Sequence, residues 1–181
     1  LKKLEEFKVN GTLLVDNTRP TSLKQRFRCE EKTMLRVSHL KQSTISKYLQ
    51  NELFTKLEKK IKNYDILIFA DFNYGCLPQD LVDKITKLAV DNNIFLAADS
   101  QSSSQSGDIG RFKSMDLITP TEREARLAVK DNDKGLVVLC NQLLSKSNSK
   151  NIILKLGGDG VVVHSKIKKN NCFTDEIEAL N

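Results

Sequence analysis

The sequence predicts an α/β fold: a mostly parallel sheet flanked by helices, preceded by a small β lid. Three observations carry this. From residue 65 onward, short apolar runs of strand length alternate with amphipathic helical stretches, joined by short links. Ahead of them, residues 23–37 alternate apolar and basic side chains with a period of two. The apolar runs also end in polar or glycine residues, the arrangement of an open sheet that gathers a ligand beyond its strand ends.

Composition sets the outer limits. The chain has 181 residues, 39% hydrophobic and 29% charged, which suits one globular domain with its own core. No apolar run approaches the ~18 residues of a membrane-spanning helix. The opening Leu1-Lys2-Lys3-Leu4-Glu5-Glu6 lacks the apolar centre of a signal peptide. Cys29, Cys76, Cys140 and Cys172 are scattered, without a CxxC pair, and are expected to be free and mostly buried. His39 and His164 have no ligand-like spacing to them, which argues against zinc. These features point to a cytoplasmic protein with no membrane partner. The charge of +6 is uneven. Residues 1–62 hold 15 Lys and Arg against 7 Asp and Glu, whereas residues 63–181 hold 14 against 16. An anionic partner near the first third is therefore expected. Without tryptophan or an interleaved basic-aromatic strand, nucleic acid is a poor candidate and a small phosphorylated ligand a better one.

The elements follow in order. Residues 11–15 are expected to form a short strand ending at Asp16-Asn17. In the next segment Leu23, Phe27 and Cys29 share one face, and Lys24, Arg26 and Arg28 the other. Residues 33–37 form its partner, with Glu30-Glu31-Lys32 as the connection. These lid strands occupy about residues 11–38, and the α/β core about 43–181. Ser43 or Thr44 caps a helix in which Ile45, Leu49, Leu53, Leu57 and Ile61 recur every four residues. Residues 66–70 are a continuous apolar run, as in a strand buried on both faces. A helix over 79–91 starts after Pro78, and strands follow at 94–98 and 116–119. Thr121 and Glu124 form a capping box for a helix over 121–129. Another helix spans 135–144, a strand 152–156, and a further strand 161–164 follows the turn Gly157-Gly158-Asp159-Gly160. The serine-rich stretch 100–107 reads as a loop at a strand end.

The strand-end rule selects 71–75, 99–102, 119–124 and 155–160. Asp71 and Asp99 each follow an apolar run, so both are candidates for a polar site on one rim. There is no GxxxxGK[ST] and no GxGxxG after a strand, which excludes the P-loop and dinucleotide fingerprints. The glycine turn at 157–160 has backbone amides able to face a phosphate. Two distant histidines assemble no Ser-His-Asp set.

Four segments together resemble the PfkB (ribokinase-like) sugar kinases, and in particular the heptose-phosphate kinase branch. Arg19-Pro20-Thr21-Ser22-Leu23-Lys24-Gln25-Arg26, with Leu35-Arg36-Val37, resembles the lid segment. Ala70-Asp71-Phe72-Asn73-Tyr74-Gly75 is similar to "SDYxKG", Leu117-Ile118-Thr119-Pro120-Thr121-Glu122-Arg123-Glu124-Ala125 to "LTPNxxE", and Lys155 to Val161 to the "TxGxxG" strand-turn-strand. The resemblance implies a ribokinase-like fold and transfer of the ATP γ-phosphoryl group to a sugar hydroxyl with Mg2+, a carboxylate acting as base. It places Asp71, Tyr74 and Asp99 at the sugar-phosphate pocket and Arg19, Lys24 and Arg26 on the lid, facing the anion. Lys155, Gly157, Gly160 and Thr121 would border the nucleotide, and Glu124 would hold the water shell of magnesium. It also implies a homodimer through the lid. Some positions depart from the pattern. Thr121 stands where the family has Asn, Tyr74 replaces the lysine of "YxKG", and Ala98-Asp99-Ser100 lacks the Pro and Lys of "DPK". The Gly-Ala-Gly-Asp segment that carries the family's base is absent, as is the glycine-rich N-terminal substrate region. The chain therefore reads as an internal piece of such a kinase, with the base expected beyond Asn181 and the piece itself inactive. The alternative is a non-catalytic module of the same fold that binds nucleotide or sugar.

Overall fold

The computed structural model describes residues 2–30, 32–39, 41–101, 107–168 and 171–179. A short helix α1 (Lys2–Glu6) leads into irregular chain, then the hairpin β1 (Leu23–Cys29) and β2 (Lys32–His39). The core follows as α2 (Lys47–Glu58), β3 (Ile66–Asp71), α3 (Gln79–Asp91), β4 (Phe95–Ser100), β5 (Leu117–Ile118), α4 (Glu122–Val129), α5 (Leu136–Ser147), β6 (Asn151–Lys155), β7 (Val161–Lys168) and β8 (Asn171–Ile177). Strands β3 to β8 form one sheet in sequence order. Neighbours from β3 to β6 run parallel, and β7 and β8 are antiparallel additions. This is the predicted α/β fold, with a mostly parallel sheet and a separate two-stranded lid.

Strands β3 and β4 are joined through α3, and β5 and β6 through α4 and α5, helices whose apolar stripes pack onto the sheet, whereas the link from β4 to β5 carries only the 3-10 turn Ile109–Arg111. In α3, Leu81, Val82, Ile85 and Ala89 are buried. They meet Phe69, Leu96 and Ala98 in one core with Phe112, Met115 and Ile118. In α5, Leu139, Cys140, Leu143 and Leu144 are buried, in the same core as Ile152, Leu154 and Val162.

Several expectations need correction. Residues 11–15 form no strand; Leu13 and Val15 are exposed, because a lone extended segment without a partner cannot satisfy its backbone groups. The α2 cap is Ser46, whose hydroxyl accepts from the Leu49 N–H, rather than Ser43 or Thr44. Strand β3 buries Phe69 and Asp71 but exposes Ile66, Ile68 and Ala70, so it is covered on one face only. The cysteines are free, yet only Cys140 is buried. Strand β8 has no counterpart in the sequence reading, because its polar, half-solvated residues show neither an apolar run nor clean alternation. The 157–160 turn does join two antiparallel strands, as a single 3-10 turn. Within the lid connection Glu31 lies outside the described residues, as do Ser102 to Ser106 of the serine-rich stretch and Leu180 and Asn181 at the end.

Candidate functional site

The carboxyl ends of β3, β4, β5 and β6 lie along one edge of the sheet because the four strands are parallel and aligned. Register decides which way each side chain points. Ala70 pairs with Asp99, and Asp71 with Ser100. Paired residues of parallel strands share a face, and successive residues alternate. Asp71 and Asp99 therefore leave the same edge on opposite faces of the sheet.

Asp71 turns toward the helices and is locked there. Its Oδ2 accepts from Arg111 Nη2 at 2.7 Å, and its Oδ1 accepts from the Asn73 N–H at 2.9 Å. Arg111 also donates to the Leu77 carbonyl and lies 4.3 Å from the centre of the Phe112 ring. Both oxygens of Asp71 are thus committed to holding the 71–77 loop against the 3-10 turn Ile109–Arg111. The sequence offered no sign of Arg111: it is 40 residues away and belongs to no strand end.

Asp99 turns to the other face and meets a cluster of site candidates. Its Oδ1 accepts from Lys155 Nζ at 2.8 Å and from the Thr119 hydroxyl at 2.9 Å. Lys155 and Asp99 are 40% and 38% exposed along their side chains, open enough to exchange partners with a ligand. Lys155 in turn forms a parallel bridge with Thr121, and its N–H donates to the Pro120 carbonyl. Thr121 closes the capping box of α4: its hydroxyl accepts from the Glu124 N–H, and its own N–H donates to Glu124 Oε2 at 2.8 Å. An unbroken series of contacts therefore runs from Thr119 through Asp99, Lys155 and Thr121 to Glu124, beside the N-terminus of α4. Asn73 continues the rim on the β3 side, donating to Ser100 Oγ and to the Gln101 carbonyl.

The two glycines at the rim differ. Gly157 has φ +69°, and a Cβ there would meet nothing within 4 Å; it leaves the turn after β6 open. Gly160 has φ +97°, and a Cβ would fall 2.0 Å from the Ile177 carbonyl oxygen. It is required by the close passage of the chain after β8.

The lid candidates divide. Arg19 pairs with Asp16 at 3.0 Å and donates to the Tyr74 carbonyl at 2.8 Å and to the Ser43 carbonyl. It clamps the base of the lid to the loop after β3. Tyr74 stacks on Phe72 at 6.0 Å. Gly75 belongs to the same joint, since a Cβ would strike the Ser43 carbonyl. Lys24 and Arg26 stand on the hairpin itself, and Arg26 lies directly opposite Arg36. Like charges facing each other across strands repel, a local strain that an anion between them would relieve.

Asp99, Thr119, Thr121 and Glu124 place oxygen atoms along this rim, and among the described residues no group of three or more His, Cys, Asp and Glu converges. Among the described residues no helix is long and apolar enough to cross a membrane.

Comparison with known proteins bears on the family and the fold. The chain is 26% identical over 165 residues to the bifunctional protein HldE of Aliarcobacter butzleri, covering 88% of this chain and 34% of that protein. It is 27% identical to the HldE of Sulfurimonas denitrificans, covering 91% and 34%. The chain thus spans about a third of the length of these curated relatives. The fold superposes on ribokinase from Giardia lamblia with a TM-score of 0.71 at 16% identity, covering 99% of this chain and 54% of that one. Ribokinase from Thermotoga maritima gives 0.66 at 18% identity, covering 99% and 55%. Residues 1–179 match the family described as pfkB family carbohydrate kinase, and with that match across nearly its whole length the chain belongs to this family.

Proposed function

We propose that the protein containing this chain transfers the γ-phosphoryl group of ATP to a hydroxyl of a sugar phosphate of the heptose 7-phosphate class. The observation that supports this most is the linked cluster Asp99, Thr119, Lys155, Thr121 and Glu124 at the carboxyl edge of the parallel strands. Such an edge is where an α/β sheet binds its ligand. The cluster combines a cation for a phosphate with oxygen donors for a metal. In this reading Lys155 leaves Asp99 to meet a nucleotide phosphate, and the turn at Gly157 lets the nucleotide approach the backbone. Glu124 and Thr121 hold water around Mg2+, which when bound spreads the charge of the phosphate oxygens. Asp99 lies on the sugar side, and Lys24 and Arg26 neutralise the sugar's own phosphate when the lid closes. Asp71 and Arg19 position the loop that carries Tyr74, rather than touching the substrate. The base comes from a segment after Asn181, so residues 1–181 alone are expected to transfer nothing. Leu23, Phe27 and Leu35, each about half exposed on one face of the hairpin, suit a homodimer through the lid. The reading places the protein in the cytoplasm.

A second reading, a nucleotide- or sugar-binding module without turnover, draws on the Asp71–Arg111 pair, which removes one strand-end carboxylate from the chemistry. The test is ADP formation by the longer polypeptide, with Mg2+ and ATP, across a panel of sugars and sugar phosphates. ADP production that depends on a sugar phosphate is expected. ATP binding in calorimetry with no sugar-dependent ADP would favour the module.

A further inference from the structure

The Asp99–Lys155 pair spans the candidate site. Strands β4, β5 and β6 are neighbours in that order, so Asp99 on β4 and Lys155 on β6 are separated by two strand intervals, roughly 10 Å along the sheet. The register puts both side chains and Thr119 on one face, since Ala97 pairs with Leu117 and Leu117 with Asn151. The Lys155 ammonium still reaches Asp99 Oδ1 at 2.8 Å. Its arm therefore lies across the rim, over the end of β5, from the glycine turn after β6 to the end of β4. The Thr119 hydroxyl donates to the same Asp99 oxygen at 2.9 Å.

One contact thus serves two places. In the proposed function, on which this inference rests, a nucleotide phosphate takes the ammonium and a sugar hydroxyl takes the carboxylate. While the pair is closed, each group neutralises the other. A phosphate arriving alone draws off the lysine and leaves Asp99 without its counter-charge. A hydroxyl arriving alone meets an oxygen that already accepts from two donors. When both arrive, partners are exchanged, lysine to phosphate and carboxylate to hydroxyl, and no charge is stranded. Both side chains are more than a third exposed, so the exchange needs no unfolding of the rim. Asp71 has no such freedom: its side chain is buried and Arg111 holds it.

We infer that the Asp99–Lys155 pair is a latch that couples the two ligands of the site. Nucleotide binding draws Lys155 away and frees Asp99 for the sugar; the sugar in turn holds Asp99 away from Lys155. Each ligand therefore raises the affinity for the other, and linkage requires the two factors to be equal. The ligands concerned are an anion that takes a single ammonium and a polyol that donates to a carboxylate.

The test is calorimetry on the longer polypeptide, with a non-hydrolysable ATP analogue and Mg2+ as one probe and heptose 7-phosphate as the other. Each is expected to bind about three- to fivefold more tightly when the other is saturating, the range open to an exposed ion pair. Asp99→Asn keeps the size of the side chain and removes its charge. It is expected to raise the affinity for the nucleotide alone by a similar factor, because Lys155 is then released beforehand. With Lys155→Met already in place the same substitution is expected to have no such effect, which separates release of the lysine from a simple loss of negative charge. Nucleotide binding by Asp99→Asn that is equal or weaker, at an unchanged thermal midpoint, would overturn the inference. Should that variant unfold more easily, Lys155→Met decides: coupling between the ligands that survives in it would overturn the inference, and its loss would uphold it. Nucleotide binding without any coupling in the unaltered protein would defeat this inference alone. Absence of nucleotide binding would defeat the proposed function and the latch with it.

Discussion

The Asp71 carboxylate meets the Arg111 guanidinium at 2.7 Å with only 3% of its side chain exposed, while Asp99 meets Lys155 at 2.8 Å with 38% exposed. Similar distances conceal different roles. Removing one partner of a buried pair strands the other without water, at a cost of about 3–5 kcal/mol. An exposed pair contributes about 1 kcal/mol or less. Arg111→Met is therefore expected to destabilise the fold by an amount near the lower end of the buried range, since Arg111 itself is 20% exposed. Chemical denaturation measures this. A change below about 1 kcal/mol would show that Asp71 does not depend on its partner. Sequence could mark both aspartates as strand ends. It could not separate them, because the difference lies in which face each occupies and in a guanidinium 40 residues away.

At the scale of elements, α5 is tied to β7 and β8 by one buried imidazole. His164 Nδ1 lies 2.6 Å from the Thr174 hydroxyl, and Nε2 lies 3.2 Å from Asn141 Oδ1. The amide oxygen can only accept, so Nε2 donates to it and Nδ1 accepts from Thr174. Burial holds the His164 pKa below its ordinary 6.5, so the folded protein keeps the ring neutral. The unfolded chain binds a proton there at higher pH than the folded protein does. Stability from this group is therefore full above the unfolded pKa and declines as pH falls below 6.5, by at most about 1.4 kcal/mol per pH unit. The His164 contribution to the thermal midpoint is expected to be constant well above pH 6.5 and to decline as pH falls below it, with His164→Gln removing that part of the slope. An unchanged slope in the variant would assign the effect elsewhere. The strongly patterned elements were legible: α3 after Pro78, α4 with its capping box, the apolar strands and the lid hairpin. What was not legible depends on neighbours. Residues 11–15 carry a strand's composition without a partner, and β8 is a strand through pairing with β7 despite its polar sequence.

For the molecule as a whole, family membership rests on a match across residues 1–179, whereas the proposed chemistry rests on one cluster at the carboxyl edge. The sequence located that edge through its strand ends, and the structure distributed the candidates. Asp99, Thr121, Glu124 and Lys155 are joined by contacts, Arg19 and Asp71 serve as clamps, and Gly160 is required by packing. The excess positive charge of the first third falls on the lid hairpin and on Lys59, Lys60 and Lys62 just after α2, which itself carries two Lys against two Glu. In the proposed function Lys155 is the residue that meets the nucleotide phosphate. The most direct measurement is calorimetric binding of a non-hydrolysable ATP analogue with Mg2+ to the longer polypeptide and its Lys155→Met variant, alongside their thermal midpoints. Affinity is expected to fall at least about tenfold, near 1.4 kcal/mol, with the midpoint shifted little because the pair is exposed. Unaltered affinity in a folded variant would contradict the assignment of this edge to the nucleotide.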